Sequence, residues 1–373
     1  MKRETLYIVA GELSGDTHAA GMLKALAEER PGVKVLGFGG PAMAAECEGV
    51  RNWVEDAAVV GVWEVLRHYG WFREQFQKML GEIRREKPQV LVLVDYPGFN
   101  LRLAKAVREE LPKTRIIYYI SPQVWAWNKR RVKPMAETLD EMLCVFPFEK
   151  EIFENAGLPT QFVGHPLVDE LEPEKEDAGR DDHLVGLFPG SREREVGRLF
   201  PLMVDAAKRL RIERPETRFE APAASPRLAE TMRKALKREP ELPLRVLDGG
   251  AHDLMQRACC GVIASGTATL EAACFGLPHC LVYKVAWPTY FLGRMLVDLP
   301  HIGLVNILAG REVAEEFIQG DADPCQAEHA LRRFLDDPGH RAKTGADLRK
   351  TAALLGESGA HRRVARAVAK HFR

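Results

Sequence analysis

Glu12, Ser14 and Asp16 lie within five residues of one another in VAGELSGD, between an apolar run (Leu6 to Ala10) and an amphipathic stretch. A strand, a loop and a helix in that order open many nucleotide-binding units. Here the glycines fall at 11 and 15, so neither G-x-G-x-x-G nor G-x-x-x-x-G-K-[ST] is present. Carboxylates repel a diphosphate; this loop, with Gly15 between its polar residues, is better suited to accepting hydrogen bonds from neutral hydroxyls, as a sugar offers. Asp16 has a second reading as the cap of the helix that follows. Asp95, in VDYPGFN, ends a near-continuous apolar strand. A carboxylate partly desolvated there can take up a proton, although a turn aspartate or cap has the same appearance. Asn100 reads either as an orienting amide or as the start of the next helix.

Anion chemistry belongs to the second half. LFPGSRERE ends an apolar run at a Pro-Gly-Ser turn, with Ser191 and Arg192 side by side. A helix N-terminus next to an arginine fork suits a diphosphate. In IASGTATLEAACFGLP, Ser265, Gly266, Thr267 and Thr269 offer N–H groups and hydroxyls at the start of a short helix that Gly276 and Pro278 terminate. Glu271, about one turn in, can accept from both hydroxyls of a ribose. Helix capping explains each small residue singly; two such loops in one half favour a bound nucleotide. Two aromatic stretches have open readings. In YYISPQVWAWNKRRVKP, Trp125 and Trp127 are two apart, and serve as core or as an apolar wall for a fatty substrate. Lys129 to Lys133 then suit a phosphate or a solvated helix end. Residues 58–72, AVVGVWEVLRHYGWF, form a core helix or an interfacial patch with Arg67 and Arg73 near lipid headgroups.

The elements that must carry these loops alternate regularly. LYIVA, VKVLGFGG, QVLVLV, RIIYYIS, EMLCVF and TQFVGHP read as strands separated by helical patterns. Ala19, Met22, Leu23 and Leu26 share one helical face, and Leu103, Val107 and Leu111 another. A polar, acidic tract interrupts this rhythm, and it restarts with HLVGLFPGS, RFEAPAA, LPLRVLDGG, GVIASG and PHCLVYKV. The expectation is two doubly wound α/β domains, residues 1–170 and 184–340, joined by a linker at 171–183, with loops at the carboxyl ends of the strands facing an interdomain cleft. Helices at 341–373 present Val364, Val368 and Phe372 on one face; they cross back to the N-terminal domain or pair with another subunit as a homodimer. Lys+Arg and Asp+Glu both number 53, which removes a global electrostatic case for nucleic acid. The short apolar run at the N-terminus breaks into a charged loop, unlike a signal peptide, and no stretch approaches the ~20 apolar residues of a membrane span. Seven cysteines without metal-type spacing read as reduced thiols, and no Asp-x-Asp metal motif falls in the loops above. Neither a metal nor a cofactor is expected.

GELSGDTHAAG, VDYPGFN, SPQVWAW, PFE at 147–149, FVGHPL, LFPGSREREV, SGTATLE, VYK and NILAGRE stand in this order between residue 9 and about residue 312. Together they closely resemble the lipid-A-disaccharide synthase family, bacterial glycosyltransferases of lipopolysaccharide assembly. The resemblance implies a GT-B fold whose N-terminal domain receives the acceptor and whose C-terminal domain holds UDP. It implies transfer from UDP-2,3-diacylglucosamine to 2,3-diacylglucosamine 1-phosphate (lipid X), giving a β-1,6-linked disaccharide and UDP. Asp95 takes the position of the base and Arg192 that of an arginine near the nucleotide, with Asn306 another residue of the cleft. Glu12, Ser14, Gly15, Asp16, Asn100, Gln123 and Trp125 then fall on the acceptor side. Ser191, Arg192, Ser265, Gly266, Thr267, Thr269, Glu271 and Asn306 fall on the UDP-sugar side. The resemblance also implies a peripheral enzyme of the cytoplasmic face of the inner membrane. Two rivals are a UDP-N-acetylglucosamine 2-epimerase, which needs no lipid acceptor, and a non-enzymatic nucleotide-sugar sensor.

Overall fold

A computed structural model describes residues 4–54, 69–174, 179–287, 290 and 299–372, without the side chains of Tyr69 and Trp127. Most of the aromatic stretch at 58–72, including Arg67, lies outside the described residues. The chain divides into two compact units, one of residues 1–169 and 356–373, the other of 170–355.

Unit 1 is built on a seven-stranded parallel sheet of order β3-β2-β1-β4-β5-β6-β7. The strands are β1 (Thr5–Ala10), β2 (Lys34–Gly39), β3 (Val50–Asn52), β4 (Val90–Val94), β5 (Arg115–Tyr119), β6 (Glu141–Cys144) and β7 (Thr160–Phe162). β1, β4 and most of β5 are fully buried. Covered on both faces by crossover helices, they need the continuous apolar runs seen in the sequence in place of alternation. The helix Leu13–Glu29 buries Ala19, Met22, Leu23 and Leu26, and Pro97–Glu110 buries Leu103 and Val107.

Unit 2 repeats the plan with six parallel strands ordered β10-β9-β8-β11-β12-β13. These are β8 (Asp181–Phe188), β9 (Arg218–Ala223), β10 (Leu244–Asp248), β11 (Ala258–Ala264), β12 (His279–Tyr283) and β13 (Glu316–Ile318). β3 and β13 are three-residue edge strands, too short for a periodic pattern, and the sequence did not announce them.

The expected boundaries shift. The stretch 171–183 is not all linker, since the turn Glu172–Glu174 enters it from one side and β8 from the other. The C-terminal segment splits at residue 355. The helix Pro338–Ala352 packs against Ala268–Cys274 and belongs to unit 2, and the helix Ala360–Ala369 packs on Leu13–Glu29 in unit 1.

Candidate active site

In unit 1 the strand order reverses between β1 and β4, and the loops leaving those strands carry Glu12, Ser14 and Asp95. Parallel α/β sheets bind ligands in the crevice at such a reversal. β4 ends in a turn where Asp95 and Tyr96 both adopt positive φ, 46° and 50°. Side chains in that conformation cost on the order of 1–3 kcal/mol each and persist only where the surroundings enforce it. Here the Asp95 N–H donates to the Tyr119 carbonyl at 3.0 Å and the Tyr118 hydroxyl donates to the Asp95 carbonyl at 2.5 Å. The Asn100 side-chain amide donates to the carbonyls of Val94 and Asp95, at 3.1 and 2.8 Å. The half-buried Asp95 carboxyl has its pKa pushed up to about 6, by burial first and by the charge of Glu12 second. It is a carboxylate poised to change protonation near neutrality.

Glu12 and Ser14 are exposed at the start of the helix Leu13–Glu29, and the Glu12 side chain makes no cap hydrogen bond. Gln123 is exposed ahead of the short helix Val124–Trp127. Other residues assigned to the acceptor side have structural work. Asp16 is inside its helix and buried. Its carboxylate accepts from the N–H groups of Gly40, Ala42 and Met43 at 2.7–3.0 Å, capping the helix Pro41–Glu46 and not its own. Asn100 is fully buried and donates both amide hydrogens to the Asp95 turn, so it positions the carboxylate, while its Oδ1 accepts from no described residue. Trp125 is core: its indole N–H donates to the buried Glu149 at 2.9 Å, and its ring meets Phe148 edge-on. Glu149, from PFE, is the carboxylate that the sequence left without a role. It also accepts from the Phe146 N–H, and burial pushes its pKa up to about 7.

In unit 2 the order reverses between β8 and β11. The loops leaving these strands line a cavity of about 530 Å3, within the range of small-ligand sites. Ser191, Arg192, Ser265, Gly266, Thr267 and Glu271 all line it. Arg192 stands at the N-cap position of the 21-residue helix Glu193–Glu213 with its side chain 83% exposed, its guanidinium 3.0 Å from Glu195. A long helix N-terminus and an accessible arginine at one rim are suited to an anion. Thr269 and Asn306 do not line the cavity. Thr269 is buried and donates its hydroxyl to the Gly266 carbonyl, closing the loop that precedes it. Asn306 is also buried; it accepts from Val313 and Ala314 N–H and donates to Ala314 and Glu316, which leaves it no free donor or acceptor for a ligand.

His252 was missed. It stands 3.3 Å from Glu271 on one side and 2.5 Å from Glu174 on the other, and the two carboxylates, Glu271 first, push its pKa up to about 9. As a cation it fixes the orientation of Glu271 at the cavity wall. The preceding Gly249 and Gly250, both at positive φ, also line the cavity. The DGG that ends β10 was the available signal: two glycines at a strand end let backbone approach a ligand closely.

A model of the lipid-A-disaccharide synthetase family matches residues 6–371. The chain belongs to the lipid-A-disaccharide synthase family. It is 40% identical to the lipid-A-disaccharide synthase of Geobacter sulfurreducens, over 96% of this chain and 95% of that one. It is also 40% identical to the enzyme of that name from Nitrosococcus oceani, over 93% and 94%. Members of the lipid-A-disaccharide synthase family are glycosyltransferases, and this chain is one. Solved structures with a similar backbone include a putative UDP-N-acetylglucosamine 2-epimerase from Listeria monocytogenes, with TM-score 0.67, 13% identity and coverage of 100% and 97%. A transferase from Siraitia grosvenorii in complex with UDP has TM-score 0.60, 12% identity and coverage of 99% and 100%. At such identities the likeness establishes the fold alone, two Rossmann-like domains of GT-B type.

Proposed function

We propose that the chain condenses UDP-2,3-diacylglucosamine with 2,3-diacylglucosamine 1-phosphate by inverting transfer. Asp95 takes the proton of the acceptor 6-hydroxyl as that oxygen bonds to the anomeric carbon. The bond from that carbon to the diphosphate breaks, and UDP leaves with its electron pair. Arg192 and the backbone N–H groups about Ser265 to Thr267 stabilise the charge that develops on the diphosphate, and Glu271, held by His252, receives the ribose. Glu12 and Ser14 orient the acceptor hydroxyls. The observation that carries this reading is Asp95, a half-buried carboxylate with its pKa at about 6 on a strained turn at the sheet's switch point. No helix among the described residues is long and apolar enough to cross a membrane, and both substrates are diacylated. The diacylated substrates of the proposed reaction favour peripheral contact with a membrane, and the family resemblance favours the cytoplasmic face of the inner membrane.

The test is UDP release from the two lipid substrates by the wild-type protein and by Asp95→Asn. The variant is expected to bind UDP normally and to turn over ~10²–10⁴-fold more slowly, the range of a lost general base. Near-normal turnover by Asp95→Asn would remove the base assignment. UDP-N-acetylglucosamine supplied alone is expected to come back without its manno epimer.

A further inference from the structure

Beside the Asp95–Tyr96 turn, unit 1 has two depressions that share Gly98 and Arg102. The larger, about 550 Å3, is walled by Phe72, Phe76, Tyr96 and Phe99, with Arg73 and Arg102 at its edge. The smaller, about 260 Å3, adds Lys105 and Arg131 to Arg102. Among the described residues no carboxylate lines either hollow. Elsewhere on the same helices the arginines are matched: Arg84 with Glu110, and Arg108 with Asp140. Arg73 and Arg102 have no ion-pair partner among the described residues, and Lys105 reaches Glu109 only at 4.0 Å. In a chain of zero formal charge, this is a local cationic excess in which Arg73 and Arg102 face no carboxylate among the described residues. Arg102 and Lys105 lie three apart on one helix face, where like charges repel unless an anion joins them.

An aromatic hollow continuous with a cationic one matches a molecule that carries an acyl chain and a phosphate. We propose that the pair forms the acceptor's lipid-phosphate subsite. One acyl chain of the acceptor lies against Phe72, Phe76 and Phe99, and its 1-phosphate is held by Arg102 and Lys105. This rests on the reaction proposed above. The helix Pro97–Glu110 begins directly after the Asp95–Tyr96 turn, and Arg102 lies five residues into it, an advance of ~7.5 Å. An acceptor with its 6-hydroxyl at Asp95 therefore has one sugar ring to span before its anomeric phosphate meets the Arg102 guanidinium. The forked guanidinium donates two hydrogen bonds to a phosphate, so the subsite selects the phosphorylated acceptor over its dephosphorylated form.

The test is steady-state kinetics in neutral detergent micelles with 2,3-diacylglucosamine 1-phosphate and with the same lipid lacking phosphate. For Arg102→Gln/Lys105→Gln the acceptor KM is expected to rise ~10- to 100-fold with the phosphorylated lipid, the scale of lost charge-assisted hydrogen bonds. The donor KM, the melting temperature and the rate with the dephosphorylated lipid stay as in the wild type. Phe76→Ala is expected to lower discrimination between long and short acyl chains without changing that between phosphorylated and dephosphorylated lipid. Equal losses on both lipids overturn the phosphate assignment, as does an unchanged KM. A defect that appears only when anionic vesicles replace the micelles assigns the cations to membrane headgroups and also overturns it. If the wild-type protein does not turn over the phosphorylated lipid at all, the reaction reading itself fails, an outcome distinct from all of these.

Discussion

Asp16 and Asp95 follow adjacent strands of one sheet, yet their surroundings assign them opposite work. Asp16 is buried with three N–H donors on its carboxylate. Asp95 is partly buried and has mainly desolvation and the Glu12 charge acting on it, so its neutral form is favoured up to pH of about 6. Only the ionised form can accept the acceptor's proton. The rate constant kcat/KM for the acceptor is therefore expected to fall about tenfold per pH unit below about 6 and to level off above it. The charge of Glu12 opposes ionisation of Asp95, so Glu12→Gln lowers the Asp95 pKa and moves the inflection toward acid. An inflection that stays in place or moves toward alkali in that variant would contradict the coupling. The same shift has a consequence for stability. A carboxyl with a raised folded-state pKa stabilises the fold below its unfolded pKa and loses that contribution as pH rises through about 6. At pH 8 the wild type holds the unfavourable ionised form, and Asp95→Asn is expected to be more stable by about 1–3 kcal/mol while losing activity. Urea unfolding at pH 8 measures this, and a destabilised variant would remove desolvation as the cause.

At the scale of the element, the first βα loop of unit 1 depends on one of its two glycines. A Cβ at Gly11 would stand 2.3–2.4 Å from ring atoms Cδ1 and Cγ of Tyr96, near the root of a side chain that cannot swing away. At Gly15 it would meet nothing nearer than 3.7 Å. Gly11→Ala is therefore expected to displace the Asp95–Tyr96 turn, at a cost of about 1–3 kcal/mol and much of the activity. Gly15→Ala keeps the fold and gains up to ~1 kcal/mol of helix propensity, read by the midpoint of urea unfolding. Equal effects of the two substitutions would mean that the Gly11 contact does not set the turn. Parts of this element were legible in the sequence and parts were not, for a physical reason. The apolar runs of β1 and β4 and the 3.6-residue periodicity of the helix are local patterns, and they placed Glu12 and Asp95 at strand ends. The partners of Asp16 are 24–27 residues away, so nothing near it in sequence reveals a cap for another helix. Asn306 and Thr269 misled in a similar way: a polar side chain beside a site looks the same in sequence whether it faces ligand or backbone. Only its burial separates the two roles.

At the scale of the whole molecule, the chain passes from unit 1 to unit 2 near residue 169 and returns near 356, so unit 1 closes with the last residues of the chain. The returning helix Ala360–Ala369 buries Val364 and Val368, and Phe372 beyond it is 2% exposed. Its ties to unit 1 include the Asp169 carboxylate, which accepts from the N–H groups of Gly359 and His361, the latter at 3.2 Å, and a hydrogen bond of 2.7 Å from His371 to Glu141. Each large buried apolar side chain contributes about 1.5–3 kcal/mol, so the segment supplies several kcal/mol to a unit whose net stability is on the order of 5–15 kcal/mol. The unit 2 cavity is formed wholly by residues between Phe188 and Leu304, and unit 2, with its buried Leu348, Ala352 and Leu355, ends at residue 355. Ending the chain after Leu355 is therefore expected to lower or abolish the unfolding transition of unit 1 and to leave that of unit 2 and the affinity for UDP nearly unchanged. Calorimetry and UDP titration of the truncated chain measure both. Loss of UDP binding together with the unit 1 transition would show that unit 2 cannot hold its cavity without the segment, and that the two units are not independent in stability.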